Sequence, residues 1–551
     1  MMRTRREFIK ALSAGAAGLT LSGCFTRSSG GRPNLLLITA DDMNYDSPGF
    51  CGNPVPGITP RLDRLAAEGM IFERAHVNIA VCQPCRQTLL TGRIPVRHGG
   101  EGFNPILESV PTLVEELKSA GYLNGILGKE KHYKPDSKFT WDFVAGEKDL
   151  ASGLGIGRSP EKYRDFALEF LKRAKRAGKP FFLNANAHDP HRPFAGSESE
   201  KKDWGEDLPR VDRWIRPEEV KVPGFLPDIP DVRTEIAQYM TSVFRCDQVV
   251  GAILDALEEG GFSESTLVLF MSDNGMSFPF AKANCYLTST KTPWIVRWPE
   301  RIQAGARNGE AMVSTIDVMP TFLDAAGIRP PEGMDGRSFL SLLKGRGGWN
   351  GDAVFTEFHE TSARKRYPMR AVLTRRFGYI VNFWADGKTE MTMDSTGGMT
   401  FRAMREAAAS DPEIARRVTL FSKRVREELY DFAADPDGLH NLIDDPRFAG
   451  EIGRLRSRLE DHLARTGDPA LEAFRRRNDP EVVAAFMEEQ RERSNSLLER
   501  ARRPSSTGRR TAAGPGRGPT PMSCSSTPAS AGTSAVARST PRTTKSSGPA
   551  A

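Results

Sequence analysis

Short apolar runs alternate with helical segments from residue 34 to about residue 270, and this alternation limits the fold more than any other feature. The apolar runs predict buried strands at 34–39, 123–127, 180–185 and 266–271. Amphipathic or capped segments predict helices at 59–69, 112–120, 163–177 and 234–259. This order predicts an α/β fold with a large, mainly parallel sheet flanked by helices.

Polar side chains follow three of these predicted strands. Asp41 and Asp42 come directly after the first strand, His188 follows the third, and Asp273 and Asn274 follow the fourth. Ligands bind beyond the carboxyl ends of strands in such sheets. Carboxylate and amide oxygens suit Ca²⁺ or Mg²⁺ better than Zn²⁺. A single Asp-Asp pair is more often a turn or a helix cap, but two polar pairs that end strands of one sheet favour a divalent-cation site.

The sequence pattern changes after about residue 345. Short strands are predicted at 353–358, 370–374 and 378–383, followed by a helix at 449–464. We therefore predict a first domain over 31–345, a smaller C-terminal α+β domain over 346–465 and a charged, helical extension over 466–502. Residues 503–551 are rich in Ser, Thr, Pro and Arg and have no aromatic residue, which predicts a disordered tail, with a polybasic surface-binding segment as the alternative.

Residues 1–30 predict an export signal. Arg5 and Arg6 precede an apolar, glycine-rich run, as in twin-arginine signals, so the twin-arginine translocase is an expected partner. That run is too short and too rich in glycine for a stable membrane-spanning helix. Cys24 ends a Leu-Ser-Gly-Cys sequence typical of lipoprotein processing, although a plain signal peptide with an incidental cysteine is the alternative. We expect the chain to be periplasmic or anchored to the membrane by a lipid on Cys24.

The net charge of +7 does not indicate a nucleic-acid-binding protein. The tail 503–551 holds seven basic residues and no acidic one, and the first 27 residues carry a net charge of +4. Residues 28–502 therefore have a net charge of about −4. Because the basic residues are concentrated in the two ends, we expect no nucleic-acid partner.

The most informative motif runs from Cys82 to Arg93 and reads CQPCRQTLLTGR. Cys82 lies just before a short apolar helix, and a helix N-terminus favours negative charge and anionic ligands. A reactive group there, facing a divalent cation, would be an activated nucleophile. Cys82 and Cys85 also have the spacing of a redox or zinc site, but no second cysteine pair follows at zinc-ligand spacing.

The extended Cys82 motif resembles that of the formylglycine-dependent sulfatases of the alkaline phosphatase superfamily. The resemblance covers about residues 33–465. It continues in order through Asp41-Asp42, the 59–69 helix, Gly128-Lys129, His188-Asp189-Pro190-His191, Asp273-Asn274-Gly275, Asp317-Val318-Met319-Pro320-Thr321, Asp335-Gly336-Arg337 and Glu428-Leu429-Tyr430-Asp431.

The resemblance implies that a separate maturation enzyme oxidises Cys82 to formylglycine, whose hydrate is the nucleophile. One hydroxyl of this geminal diol attacks sulfur, and the other later expels sulfate by re-forming the aldehyde. The implied ligands of a Ca²⁺ ion, or of Mg²⁺, are Asp41, Asp42, residue 82, Asp273 and Asn274. The implied catalytic residues are Cys82, Arg86, Lys129, His132, His188 and Lys282.

The resemblance also implies a role for each catalytic side chain. Arg86 orients the nucleophile and supplies charge to it. The sulfate oxygens are bound by Lys129, His188 and Lys282. His132 fixes the residue-82 hydroxyl and takes the proton that releases sulfate, and His188 or Lys282 protonates the leaving group.

Three departures from the family pattern bear on these roles. Cys85 stands where the family usually has Ser. An extra residue separates Gly128 from His132, so either Lys129 or Lys131 could face the sulfate, and Lys129 is preferred because it directly follows the glycine. No His follows Asp273-Asn274-Gly275; instead, Lys282 lies four residues before Tyr286, the spacing of the family's sulfate-contacting base.

The shortened segment after Gly275 and the His188-Asp189-Pro190-His191 sequence resemble the heparan N-sulfatase (sulfamidase) branch. The resemblance implies hydrolysis of an N-sulfate or O-sulfate on a sulfated sugar such as a glycosaminoglycan fragment. His191 is expected to lie near the site, facing substrate or supporting the ligands, rather than to bind the metal.

Two other functions remain open at this point. One is a phosphonate monoester or phosphodiester hydrolase of the same superfamily, since some members share the Cys-x-Pro-x-Arg motif. The other is a catalytically silent, lipid-anchored glycan-binding protein, which would require a missing ligand or an unmodified Cys82. A redox protein built on Cys82 and Cys85 would leave the carboxylate pairs unexplained.

Overall fold

The computed structural model describes residues 31–151, 157–204, 211–299 and 301–502. The predicted export signal, Cys24 and the predicted 503–551 tail lie outside these residues and stay predictions. The described strands are β1 (Asn34–Ala40), β2 (Met70–Phe72), β3 (Ala75–His76), β4 (Leu123–Leu127), β5 (Phe143–Ala145), β6 (Phe181–Asn186), β7 (Thr266–Ser272), β8 (Trp294–Arg297), β9 (Ala306–Asn308), β10 (Val313–Ser314), β11 (Ala353–Glu360), β12 (Arg366–Thr374), β13 (Phe377–Asn382) and β14 (Glu427–Asp431).

Helices connect most of these strands. The α-helices are α1 (Pro60–Glu68), α2 (Cys82–Thr91), α3 (Pro95–His98), α4 (Leu113–Ser119), α5 (Pro160–Ala177), α6 (Glu198–Trp204), α7 (Pro230–Glu259), α8 (Leu287–Thr290), α9 (Val318–Ala325), α10 (Leu340–Leu343), α11 (Met399–Ala407), α12 (Pro412–Lys423), α13 (Ala449–Thr466), α14 (Leu471–Arg475) and α15 (Pro480–Arg502). Helix starts follow ordinary capping chemistry. Thr112 and Glu115 form a capping box at α4, and Ser159 accepts a hydrogen bond from the Lys162 amide at α5.

The large sheet has eight strands in the order β5-β4-β6-β1-β7-β8-β2-β9. Strand β1 lies between β6 and β7 and is parallel to both, and all seven of its residues are buried. This double coverage explains why β1 is almost entirely apolar. Strand β8 runs antiparallel to β7 and β2, so the sheet is mainly parallel. The predicted α/β fold with a large, mainly parallel sheet flanked by helices is confirmed.

A smaller antiparallel sheet, in the order β11-β12-β13-β14, follows in the chain. Helix α13 covers one face of this sheet through Leu455, Leu459 and Leu463, which join a buried cluster with Tyr379 of β13. The large apolar core also includes residues of this C-terminal part, among them Phe358 and Tyr430. The C-terminal elements therefore share a core with the rest, and a domain boundary at residue 345 stays a prediction.

The predicted charged extension, 466–502, contains two helices, α14 and α15, separated by a short turn. Val483 and Phe486 of α15 are 3% and 4% exposed and belong to the cluster beneath α13. Helix α15 is therefore part of the packed structure. Only a few residues of this segment form its apolar face, so the many charged residues around them made the packing hard to predict from the sequence.

We expect the cover over the smaller sheet to depend on the α13 leucines. Replacing Leu459, which is 1% exposed, with Ala should lower the free energy of unfolding by about 2–5 kcal/mol, because it removes buried methyl groups and leaves a cavity. A thermal unfolding midpoint measures the effect. The neighbouring Glu460→Ala variant is the control, since Glu460 forms only an exposed ion pair with Arg475 and should change the free energy by less than about 1 kcal/mol. Equal midpoints for the two variants would contradict the packing described here.

Candidate active site

Two adjacent strand ends bring the predicted ligands together. Strands β1 and β7 are paired in register, with Ala40 opposite Ser272, so Asp41-Asp42 and Asp273-Asn274 leave the sheet at the same edge. The Asp42 amide donates to the Asp273 carboxylate at 3.1 Å. All four side chains are fully buried. The parallel register therefore places three carboxylates and one amide in a single buried cluster.

Several oxygens in this cluster lack hydrogen-bond donors. The amide nitrogen of Asn274 donates to Asp42 Oδ1 at 2.7 Å, which leaves Asn274 Oδ1 without a partner. Neither carboxylate oxygen of Asp41 accepts a hydrogen bond, although Asp41 Oδ2 is in ion-pair contact with the Lys129 ammonium. Buried polar atoms normally have a partner. Hard oxygens that accept no hydrogen bond fit a divalent cation such as Ca²⁺ or Mg²⁺.

Three buried cations balance the three carboxylates. Arg86 lies 2.6 Å from Asp273, and Lys282 lies 2.8 Å from Asp42 Oδ2. Lys129 contacts Asp41, and Arg86 also lies 3.5 Å from Asp41, so every carboxylate has at least one cationic neighbour. The cluster is thus electrically neutral by itself, and a bound divalent cation would make it positive. A positive, buried site favours an anionic ligand.

The pKa values reflect this competition between burial and charge. Burial raises the pKa of Asp42 and of Asp273 to about 6. Burial also acts to raise the pKa of Asp41, but Lys129, His191 and Arg86 outweigh it and hold the value well below its usual range. Asp41 is therefore ionised at neutral pH, and a divalent cation would further favour the ionised forms of its two neighbours.

Cys82 is the first residue of α2 and lies beside this cluster. Its side chain is 6% exposed, and burial, together with the charge on Asp41, raises the pKa of its thiol to about 12. Such a thiol is protonated at neutral pH and is a weak nucleophile, because the thiolate is the reactive form. The environment of Cys82 is thus unsuited to cysteine chemistry. None of the five cysteines within the described residues forms a disulfide, so Cys82 and Cys85 are both free thiols here.

Arg86 is fixed from several sides. Its guanidinium donates to Thr39 Oγ1 at 2.7 Å and to Asn186 Oδ1 at 2.6 Å, in addition to Asp273. Thr39 lies on β1 and Asn186 at the end of β6, so this one side chain connects α2 to three neighbouring strands. Asn186 was not among the site residues predicted from the sequence. Its only signal was a polar residue at the end of an apolar strand, which is common.

The extra residue between Gly128 and His132 is accommodated in a short 3-10 turn that comprises Glu130–His132. Lys129 precedes the turn, has a positive φ of 56° and directs its ammonium to Asp41. The Lys131 side chain is 66% exposed and lies 3.6 Å from Glu147. Of the two lysines that sequence analysis considered, only Lys129 contacts the cluster.

Three histidines surround the cluster in neutral form. Burial, reinforced by Lys129, lowers the pKa values of His132 and His188 well below their usual range. His132 Nδ1 and both ring nitrogens of His188 lack hydrogen-bond partners. Burial, reinforced by Lys282, lowers the pKa of His191 to about 4. Neutral imidazoles with free nitrogens can donate or accept a proton once a ligand binds.

His191 is close enough to the carboxylates to act as a ligand. Ligand atoms of Asp41, Asp42 and His191 lie within 4.8 Å of one another. His191 Nδ1 lies 2.6 Å from the Arg192 carbonyl oxygen, which assigns the ring proton to Nδ1. The lone pair of Nε2 therefore faces Asp42, whose carboxylate lies 3.9 Å away.

A second buried network supports the histidine loop. The Asp189 carboxylate accepts hydrogen bonds from Arg158 at 2.6 Å and from Arg245 of α7 at 2.5 Å, and all three side chains are essentially buried. The Asp189 carbonyl accepts from the Asp41 amide at 3.3 Å. This network ties the longest helix to the His188 loop and to the cluster. Arg245 within an otherwise apolar helix was the available sequence signal.

A small cavity of about 20 Å³, here called the mouth, lies beside Cys82 and Lys282. This volume has room for about one water molecule. Its lining includes Phe103, Lys282, Thr361, Ser362, Met393 and Asp394. Most of these residues come from loops after the large sheet. Of these lining residues, only Lys282 was predicted from the sequence, because nothing in the local pattern of the others relates them to Cys82.

The chain is similar to known proteins over most of its length. Residues 33–328 match the family described as Sulfatase, and residues 277–397 match the family described as N-sulphoglucosamine sulphohydrolase, C-terminal. The chain is 33% identical over 466 residues to N-sulphoglucosamine sulphohydrolase from Homo sapiens, which covers 79% of this chain and 91% of that protein. It is 26% identical over 474 residues to an ulvan-active sulfatase from Formosa agariphila, covering 80% of this chain and 76% of that protein.

Solved structures share the fold. A protein in complex with its substrate D-glucosamine-2-N,6-O-disulfate has a TM-score of 0.59 and 20% identity, covering 79% of this chain and 98% of that one. The phosphonate monoester hydrolase of Agrobacterium radiobacter has a TM-score of 0.59 and 19% identity, covering 79% and 96%. At such identities the likeness concerns the fold alone.

Cation binding should stabilise the folded chain measurably. Addition of Ca²⁺ to chelator-treated protein should raise the thermal unfolding midpoint, because a ligand that binds only the folded state stabilises it. Asp41→Asn should abolish this increase, since it removes the carboxylate whose oxygens lack donors. Asp352→Asn, at an exposed ion pair, is the matched control and should keep it. A wild-type midpoint that neither Ca²⁺ nor Mg²⁺ changes would contradict the cation site.

Proposed function

The chain belongs to the sulfatase family, and we propose that it removes sulfate from sulfated sugars. The proposed reaction takes place outside the cytoplasm and uses formylglycine at position 82 and a divalent cation. As a member of this family it is a sulfuric ester hydrolase. The observation that carries the proposal is the buried cluster of three carboxylates and Asn274 beside Cys82, with its oxygens short of donors.

The proposed substrate is a sulfated glucosamine, as in a glycosaminoglycan fragment. The similarity to human N-sulphoglucosamine sulphohydrolase extends over most of both chains and supports N-sulfate as the first choice. The neutral charge of the cluster supports an anionic substrate, because a bound divalent cation would leave net positive charge beside Cys82.

The proposed cation ligands are Asp41, Asp42, Asp273 and Asn274, with residue 82 completing the set. The oxygen donors favour Ca²⁺, with Mg²⁺ as the alternative. When bound, the cation would polarise a sulfate oxygen and lower the pKa of a coordinated hydroxyl. The chain's own contribution is to hold the ligands: the β1–β7 register and the Arg86 contacts fix them before substrate arrives.

Formylglycine would supply a hydrated aldehyde as an oxygen nucleophile, which the Cys82 thiol cannot replace because burial keeps it protonated. Position 82 suits this role because it lies at the helix N-terminus, beside the carboxylate cluster and at the mouth. Arg86 lies one helical turn further on and orients this end of α2 against the sheet.

Lys129 and Lys282 are proposed to bind the sulfate oxygens. Burial alone lowers the pKa of Lys282, but the Asp42 carboxylate outweighs it and raises the pKa above its usual value, so Lys282 keeps its proton. A lysine that holds its proton this tightly is a poor acid. We therefore assign protonation of the leaving group to His188, whose ring nitrogens are unpaired.

Substrate binding would prepare His188 for that step. Burial is the main cause that lowers the pKa of His188 in the free site, and nearby cations, with Lys129 the largest of them, lower it further. A bound sulfate would offset the charge of these cations and so raise the pKa of His188. His132, whose Nδ1 also lacks a partner, is proposed to take a proton from the residue-82 hydroxyl.

The proposed location is the periplasm or the outer face of a membrane. It rests on the twin-arginine pattern at Arg5 and Arg6, with the translocase and the maturation enzyme as partners, and on a lipid at Cys24 for anchoring. Among the described helices, none is both long and apolar enough to cross a membrane.

The alternative function is that of a phosphonate monoester or phosphodiester hydrolase. Because such an enzyme shares the fold, an experiment must separate the two activities. Comparing kcat/KM for 4-nitrophenyl sulfate with that for phenyl phosphonate and phosphate esters separates the two. A higher value on the sulfate ester supports the proposal, and a higher value on either phosphorus ester overturns it.

The mass of the tryptic peptide Ala75–Arg86, from protein made in its native host, tests maturation directly. We expect a mass lower than that of the thiol form by roughly one water, allowing for the aldehyde's hydrate. Cys82→Ala should remove both the modification and the activity. Cys85→Ser should keep both, because the family usually has Ser there. A thiol at position 82, in a host that matures another such protein, would instead support a silent glycan-binding protein.

Leaving-group dependence tests the role of His188. His188→Ala should lower kcat/KM for glucosamine N-sulfate by about 10²–10⁴, because the departing amine needs a proton. Its effect on 4-nitrophenyl sulfate should be much smaller, since nitrophenolate leaves without protonation. Lys129→Ala is the comparison variant and should lower kcat/KM for both substrates by a similar factor. If His188→Ala also affects both equally, His188 serves only in sulfate binding.

A further inference from the structure

A groove of about 750 Å³ lies beside the mouth and belongs to no part of the site described above. Its walls come from β12 and the loop before it, the segment after β13, and helix α15. Its size falls within the usual range of ligand pockets, about 300–1,000 Å³. The residues that matter for its chemistry are Arg364, Lys365, Tyr367, Trp384, Arg426 and Arg491.

Positive charge predominates in this groove. Among the described residues, no carboxylate lies within ion-pair distance of Lys365 or Arg426, and Arg426 donates to the backbone oxygens of Asn382 and Phe383. Arg491 is 63% exposed, and its partner Glu488 lies on the same helix. Asp386, the acid in the lining, accepts from Lys388 and Thr389 of its own loop. The groove therefore offers a ligand more cationic than anionic groups.

An unpaired donor also borders the groove. Trp384 is 2% exposed, and its indole Nε1 has no hydrogen-bond acceptor. Tyr367 packs edge-on against the indole, with ring centroids 5.0 Å apart. A buried N–H without an acceptor is uncommon. A negatively charged ligand rich in oxygen would match the surrounding cations, and an oxygen that reached Trp384 Nε1 would supply its missing acceptor.

The groove and the catalytic mouth share one rim. Thr361 and Ser362 line the mouth, while Arg364 and Lys365, a few residues further along the same loop, line the groove. Arg364 has a positive φ of 60° and donates to the Phe103 carbonyl, and Lys365 donates to Thr392 at 2.8 Å. Phe103 lines the mouth, and Thr392 precedes Met393, which also does. The groove and the mouth are therefore neighbours along the 361–365 loop.

We propose that this groove binds the anionic residues of a sulfated oligosaccharide that continue beyond the sugar placed over Cys82. The inference rests on the proposed function, because the sugar bound over Cys82 determines the direction in which the oligosaccharide extends. Binding in the groove makes the enzyme selective for oligosaccharides over single sulfated sugars. It also gives helix α15 a role in substrate binding.

Binding to the full-length Cys82→Ala chain tests the groove without turnover. The probes are a heparin-derived hexasaccharide and glucosamine N-sulfate, measured by isothermal titration calorimetry at low and moderate salt. Adding Lys365→Glu and Arg491→Glu should weaken hexasaccharide binding at least tenfold at low salt and less at moderate salt, because salt screens exposed charges. The factor for the single sugar should be smaller.

The matched control is Arg454→Glu, since Arg454 pairs with Glu451 three residues away on α13, as Arg491 pairs with Glu488 on α15. It reverses an exposed charge outside the groove while the basic tail stays the same. Hexasaccharide affinity within twofold of the parent in the double variant, or an equal loss in the control, would overturn the proposal. Failure of wild-type chain to release sulfate would refute the proposed function and leave this binding difference unaffected.

Discussion

The structure depends on the neutralisation of three carboxylates that are buried at the ends of β1 and β7. Burying an ionised group is costly unless a partner of opposite charge accompanies it, and removing one partner of a buried pair typically costs about 3–5 kcal/mol. Here Lys129 and Lys282 each lie against one carboxylate, and Arg86 lies against Asp273 and Asp41. The same arrangement leaves oxygens of Asp41 and Asn274 without donors. The site is thus stable enough to form and still suited to a further cation.

The position of each charge follows from contacts made elsewhere in the fold. Arg86 reaches the cluster because Thr39 and Asn186, on adjacent strands, hold its guanidinium. The His188 loop is held by Asp189, whose carboxylate binds Arg158 and Arg245. Strand register, helix α2 and helix α7 therefore act together, and a change in any of them would shift several charged groups at once.

The C-terminal part lines the mouth and the groove, whereas the cations that neutralise the carboxylates come from the part of the chain before it. Its loops supply Thr361, Ser362 and Asp394 to the mouth, and helix α15 borders the neighbouring groove. Helix α15 is held to this region by two side-chain contacts: Gln490 accepts from Arg366 at 2.8 Å in the interior, and the partly exposed Arg493 donates to Glu101 at 2.6 Å. The residues of the carboxylate cluster and the residues that line the mouth and the groove therefore come from different parts of the chain, which share one core.

The sequence by itself determined four strands of the eight-stranded sheet, its main helices and most of the cluster, because long apolar runs and capped helices carry local signals. The strand predicted at 123–127 has those bounds in the structure, and the carboxylates follow strand ends as expected. Short elements such as β5 and β9, with three residues each, lack a detectable period. Only the tertiary structure decided between Lys129 and Lys131, identified Asn186 and brought Asp394 to the mouth. These depend on distances between segments far apart in the chain, which no local pattern encodes.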